Sequence, residues 1–279
     1  MSPKIKRRKS LWKRMQENEK VQSIETIVLP LLFGVLFLFL WQTKVLHTVL
    51  HTDTFTLPLP SRILTIIGEN MDKIMVNVQA TVIVTLAGLV AGSLIGYGIA
   101  VLAALFPRWG ACGLTIIAAF NAIPIVALAP VMTNWTKDVS KEADIRSMVA
   151  KILVVMIVCI ANMSINAYRG LTELKPFSED LMLSYAASKR ITLQKLRLPN
   201  SVPYVFTALK VAVPSSVISA LVSEYFAEYI IGVGRQIREN IVLAQYSSAW
   251  AYIIIACLIG IIMYAILMFS QSILLKKHT

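Results

Sequence analysis

Charge is what this sequence has least of. Only 15% of its 279 residues are Asp, Glu, Lys or Arg, where a soluble domain carries about a quarter. Histidine is nearly absent: His47, His51 and His278 all lie outside the apolar runs. His47 and His51 share a four-residue spacing, but only Asp53 is near enough to complete a ligand set, so no metal site is expected. The three cysteines, Cys112, Cys159 and Cys257, each sit inside an apolar run without metal-type spacing. They read as small packing residues. A phosphate-cradling G-x-x-x-x-G-K-S/T, a zinc-binding H-E-x-x-H and a nucleophile-bearing G-x-S-x-G are all missing. No catalytic residue, no cofactor and no enzymatic activity are therefore expected.

Apolar residues fill the space that charge leaves. They make up 57% of the chain, mean hydropathy is +0.69, and several runs exceed the roughly 20 residues that cross a bilayer. The fold class this predicts is an all-α polytopic membrane protein. Six spans are expected, near 24–42, 75–105, 111–133, 149–168, 204–231 and 249–274. The division that follows is a basic segment 1–23, a first span and outer linker 24–57, a core 58–274 containing a loop 169–203, and a tail 275–279. Trp41-Gln42-Thr43-Lys44 offers no small-residue cleavage site, so the first span is expected to be retained.

The net charge of +12 is distributed as membrane topology demands, which argues against nucleic acid as a partner. With the N-terminus inside, inner segments hold 17 Lys and Arg and outer segments 8. That bias predicts both termini in the cytoplasm. Lys151 and Lys210 fall within spans, and Lys210 is expected to snorkel to the inner surface. In the outer linker, Pro58, Pro60 and Ser61 predict the start of a short helix, with Ser61 as its cap. Gly88, Gly92 and Gly96 form a doubled G-x-x-x-G, which predicts close packing of another helix on the second span.

The loop 169–203 is long beside an inner loop of about five residues, and long loops in compact folds are usually functional. Pro176 and Ser178 predict a helix start, with Glu179 and Asp180 in the first turn. Leu181, Tyr185 and Ser188 would line one side, with Met182 and Ala186 alongside and Lys189 and Arg190 at the end. Thr192 would cap a second short helix with Leu193 and Leu196 as apolar contacts and Lys195 and Arg197 facing water. Pro199 would end it. Apolar helices in a loop need something to bury them: the membrane surface, the protein's own spans or a partner.

At this loop the sequence resembles a known family. Ser184-Tyr185-Ala186-Ala187-Ser188-Lys189 through Leu198-Pro199 and Val202-Pro203 is similar to the "EAA" loop of binding-protein-dependent ABC permeases, which reads E-A-A-x-x-x-G, nine to a dozen residues, then L-P. Asp180 falls at the acidic position, Ala186 at the glycine and Pro199 at the proline, while Leu181 and Met182 replace the two alanines. The small-residue-rich Val78–Leu105, the P-x-x-A-x-x-P stretch from Asn121 through Pro124 and Ala127 to Pro130, the pair Ser223-Glu224 followed by Gly232-Val233-Gly234, and Leu59-Pro60-Ser61 extend the resemblance in the right order. It is strongest to permeases of the nitrate, sulfonate and taurine type, a branch that thiamine-precursor and riboflavin importers share.

The resemblance implies a type I importer permease. Two copies would form a pore, the loop would dock on a separate ABC ATPase subunit, and an extracytoplasmic solute-binding protein would deliver the solute in a prokaryotic plasma membrane. The coupling residues it implies are Asp180, Tyr185, Ala186, Ala187, Ser188, Lys189, Leu193, Lys195, Leu196 and Pro199. Polar residues within spans nominate Asn121, Asn162, Ser164, Ser215, Ser219 and Glu224 as the translocation path, against the alternative that each makes an interhelical hydrogen bond. Glu224, with Glu228 nearby, also leaves open an ion- or proton-coupled secondary transporter.

Overall fold

The computed structural model describes residues 19–227 and 231–275. The basic segment 1–18, residue Glu228 and the tail 276–279 lie outside the described residues. The chain divides into two compact units, residues 1–65 and 66–279.

In the first unit, α1 (Glu19–Gln42) runs into the short α2 (Val45–Leu50) through a left-handed Lys44. Its apolar part, Val28–Gln42, is shorter than the later spans. The expected outer helix is α3 (Pro60–Glu69), which continues into the second unit. It begins at Pro60, but its cap is not Ser61. The backbone N–H of Ser61 donates to Gln42 Oε1 at 3.1 Å, and Gln42 Nε2 donates to Ser61 Oγ at 3.1 Å. A side-chain amide from α1 thus satisfies a donor that helix geometry leaves free. His47 does not pair with His51. Its Nε2 lies 2.6 Å from the Leu57 carbonyl, while Asp53 Oδ1 accepts from the Thr56 N–H at 2.8 Å. That bond holds the Asp53 carboxyl below the usual carboxylate range.

In the second unit, α4 (Met71–Leu105), α5 (Pro107–Phe120), α6 (Ile125–Trp135), α7 (Ala143–Thr172), α8 (Ser178–Ser184), α9 (Lys189–Thr192), α10 (Leu198–Phe226), α11 (Val233–Val242) and α12 (Tyr246–Leu275) follow in order. Four helical stretches among the described residues are long and apolar enough to cross a membrane: Met71–Leu105, Ala143–Thr172, Lys189–Phe226 and Tyr246–Leu274. The span expected at 111–133 is not one straight helix. It is broken into α5 and α6, which meet at 94°. Pro124 causes the break: it has no N–H to donate and pushes the preceding residue out of helical geometry. The fifth span also differs from expectation, since its helix ends at Phe226.

Helices α4 and α7 pack along most of their length, and α10 lies against both. The core between them is made of small side chains: Ala100, Ala104, Ala167, Ala208, Ala212 and Ala220 are buried. In lipid this is the expected solution, because helices gain nothing by hiding leucine from a solvent as apolar as leucine and associate through close van der Waals contact. The doubled G-x-x-x-G is the seam. A Cβ on Gly88 would lie 2.6 Å from Val155 Cγ1, one on Gly92 2.7 Å from Cys159 Cβ, and one on Gly96 2.7 Å from the Ile160 carbonyl oxygen. Gly98, two residues on, meets nothing within 4 Å. Helix α12 keeps mostly to the outside, with Ile261, Ile266 and Phe269 exposed.

The contrast within α4 gives a test. Gly92→Val should lower stability by more than about 2 kcal/mol, the scale of an overpacked core. Gly98→Ala should be neutral or stabilise by up to about 1 kcal/mol. Thermal melts of the two variants in one mild detergent check the difference.

Candidate functional site: the inter-span loop and the buried glutamate

The loop between α7 and α10 begins where α7 runs out at Thr172. Its two ends are tied together by Asn200, whose Nδ2 donates to the carbonyls of Gly170 (2.8 Å) and Glu173 (3.1 Å). These carbonyls at the helix end have no partner within α7. Arg197 makes the second tie. Its Nη1 donates to the Ala104 carbonyl at the end of α4 (3.1 Å), and its Nη2 pairs with Glu179 Oε1 at 2.7 Å. Arg197 was expected to face water; it instead fastens the loop to α4 and to α8. Neither anchor was found from sequence, because the carbonyls they serve belong to other helices.

Left-handed residues bracket α8: Phe177 has φ 64° and Ala186 φ 49°. The expected helix through Lys189 therefore stops at Ser184, and the chain turns at Ala186. That turn explains why the family pattern has glycine here: an L side chain in the left-handed region costs about 1–2 kcal/mol. The next helix is capped by Ser188, whose Oγ accepts from the Ile191 N–H at 3.4 Å, and not by Thr192. Pro199 does not end that helix. The turn Leu193–Arg197 widens to π geometry, and the Leu198 N–H reaches back to the Leu193 carbonyl. The wider turn makes room for the proline ring, so Lys189–Phe226 runs as one 38-residue helical stretch.

No residue of α8 is buried. Leu181 is 57% exposed, Leu183 71% and Tyr185 78%, with Phe177 beside them at 81%. Asp180, Ala186, Ser188, Lys189, Lys195 and Pro199 are exposed as well, whereas Ala187, Leu193 and Leu196 are half-buried. Leu193 and Ala187 face inward, onto a cleft of about 260 Å³ shared with Ala104, Leu105 and Pro107. Leu183 borders that cleft too, so the outward apolar face is built by Phe177, Leu181 and Tyr185, of which sequence reasoning picked out Leu181 and Tyr185.

At the far end of the same helical stretch sits Glu224, with no exposed surface. Thr81 Oγ1 lies 2.8 Å from its Oε1 and donates to the carboxylate, and the Gly234 N–H donates to Oε2 at 2.8 Å. Thr81 Oγ1 accepts in turn from the Val233 N–H at 2.9 Å, and Asn77 Oδ1 accepts from the Gly232 N–H at 2.9 Å. The buried Lys151 donates to the Ile231 carbonyl at 3.1 Å. Residues 231–234, which lead into the first turn of α11, form a strap whose N–H groups are held by side chains of α4 and α10 and whose Ile231 carbonyl is held by Lys151 of α7. Both glycines are required. Gly232 has φ 129°, and a Cβ there would strike the Glu224 carboxylate; one on Gly234 would strike the Leu221 carbonyl.

The expected path residues fall into two groups. Glu224, Ser164 and Ser219 are fully buried within the chain; the two serines bond to the carbonyls of Ala161 (3.2 Å) and Ser215 (2.7 Å) on their own helices. Asn121, at the α5–α6 break, is exposed, and Asn162 and Ser215 are half-buried. Glu224 is bonded to Thr81 and to the strap at Gly234.

Helices long enough to span a bilayer, a seam of glycines and alanines between them, and a pinned loop with an outward apolar face define a multi-pass membrane transport subunit. The chain belongs to the family described as the binding-protein-dependent transport system inner membrane component, whose pattern matches residues 88–278. It is 25% identical over 247 residues to the formylaminopyrimidine transport permease protein ThiX of Halalkalibacterium halodurans, covering 88% of this chain and 94% of that protein. It is 26% identical over 196 residues to a probable ABC transporter permease protein of Haemophilus influenzae, covering 70% and 76%.

Two substitutions test the backbone argument. Gly232→Ala should cost about 3 kcal/mol, the upper scale of a strained backbone position. Ala186→Gly should stabilise by up to about 1 kcal/mol, since it relieves the left-handed turn. Chemical or thermal unfolding in detergent, with the wild-type chain alongside, reads both.

Proposed function

We propose that this chain is the pore-forming subunit of an ATP-driven importer, coupled to a separate ATPase subunit through the loop 169–203. The observation that carries the reading is the outward apolar face of α8 and its flanks. Covering a side chain such as Leu181 is worth about 1.5–3 kcal/mol, and among the described residues it stands 57% exposed. A groove on an ATPase subunit supplies that cover, and ATP is hydrolysed there, since the sequence holds no phosphate cradle. Phe177, Leu181 and Tyr185 make the contact, with Asp180, Ser188, Lys189 and Lys195 around them. Leu193, Leu196, Ala187 and Pro199 shape the loop from within, and Ala186 sets its turn.

Two copies enclose the path in this reading, and Asn121, Asn162 and Ser215 are the polar side chains open to it. An extracytoplasmic binding protein delivers the solute, and both termini lie in the cytoplasm of a prokaryotic plasma membrane. Among small solutes a formylaminopyrimidine is the first to test, because the relative that aligns over most of both chains is named for its transport.

The test is a mild-detergent pull-down of the tagged chain from its native membranes, with mass spectrometry of what comes along. A stoichiometric P-loop ATPase is expected. Leu181→Asp should lower its recovery at least about tenfold, the effect of losing roughly 1.4 kcal/mol, while membrane insertion stays normal. Recovery of the chain alone across several detergents would overturn the reading.

A further inference from the structure

We propose that the junction of Glu224, Thr81 and the strap 231–234 is where movement of the loop-bearing helix is passed to the opposite end of the chain, and that Thr81 is the positioning residue that passes it. The proposal rests on the reading that the loop engages an ATPase subunit, and it adds where that input arrives.

Three observations carry it. First, the loop and Glu224 share one uninterrupted helical stretch, Lys189–Phe226. At about 1.5 Å per residue, a shift at Lys189 is carried about 50 Å to Glu224. Second, the N–H groups of the strap, at the start of α11, take side-chain partners, while the Gly232 carbonyl accepts from the Gln236 N–H of α11. The successive N–H groups of Gly232, Val233 and Gly234 bond to Asn77, Thr81 and Glu224, and the Ile231 carbonyl bonds to Lys151. Its position is therefore dictated by where α4, α7 and α10 stand. Third, the junction has no slack. Gly232 and Gly234 already lie against the Glu224 carboxylate and the Leu221 carbonyl of α10, so a displacement of α10 moves the strap with it.

Thr81 is the pivot because its hydroxyl has one proton and two lone pairs. The proton goes to Glu224 on α10, and a lone pair takes the Val233 N–H of the strap. When α10 slides against α4, this hydroxyl must release one partner or carry both. Valine fills the same volume and does neither, whereas serine keeps the chemistry.

Hydrogen exchange of the complex purified with its ATPase tests this without knowledge of the solute. A non-hydrolysable ATP analogue with magnesium should change exchange at the amides of residues 232–234 about tenfold, within the usual range of coupling energies, and leave Val154 and Val155 in α7 unchanged. Thr81→Val should abolish the nucleotide dependence in an assembled complex, and Thr81→Ser should restore it. Exchange at 232–234 that ignores nucleotide in the wild-type complex overturns the proposal, and this measurement decides even if the valine variant does not fold. A valine variant that keeps the response, or a serine variant that behaves like valine, also overturns it. Absence of the ATPase from the preparation overturns the proposed function itself, and this inference with it.

Discussion

A carboxylate sealed among membrane helices sets the terms for much of this structure. Glu224 has no exposed surface, and an unsatisfied polar group there is costly. Its oxygens must be met by donors, and the chain provides a threonine hydroxyl from α4 and a backbone amide from the strap. Those two bonds fix three further things. They set the register of α10 against α4. They hold Gly234, at the start of α11, against the carboxylate. They also exclude any side chain at Gly232 and Gly234, because the backbone lies against the group it serves. The buried Lys151 holds the Ile231 carbonyl of the same strap.

The other end of α10 obeys a different rule. Around the loop, backbone is bonded by side chains that reach across elements: Asn200 closes the end of α7, and Arg197 joins the end of α4 to Glu179. These anchors free α8 from any packing duty, which is why its apolar side chains point away from the protein. A pinned base and an unpacked outer helix are what a docking element requires, since rigidity at the base lets a push on the loop travel into the span. The π turn ahead of Pro199 keeps that connection continuous where a proline would otherwise break it.

Between the two ends, close packing rather than greasy bulk holds the bundle. Gly88, Gly92 and Gly96 bring α4 and α7 nearly into backbone contact, and the alanines of α10 fill the third side. The large apolar residues are left on the outside, where lipid is as good a solvent for them as protein.

The sequence by itself determined the membrane character, the run of long helices and the G-x-x-x-G seam, because each follows from composition or from spacing along a single helix; the family came through the resemblance of the loop and its flanking motifs. The outer helix at Pro60 and the helix start at Ser178 were legible for the same reason. Tertiary structure alone decided the rest. Whether a proline breaks a helix depends on the turn before it: the wide turn Leu193–Arg197 carries the helix through Pro199, and the chain breaks at Pro124. Arg197 turned inward because the carbonyl it serves lies 93 residues away. The partners of Glu224, Thr81 and Gly234, were not legible because they stand 143 and 10 residues off in sequence. Spacing along a helix reports what is local; the satisfaction of a buried polar group is a fact about which helices meet.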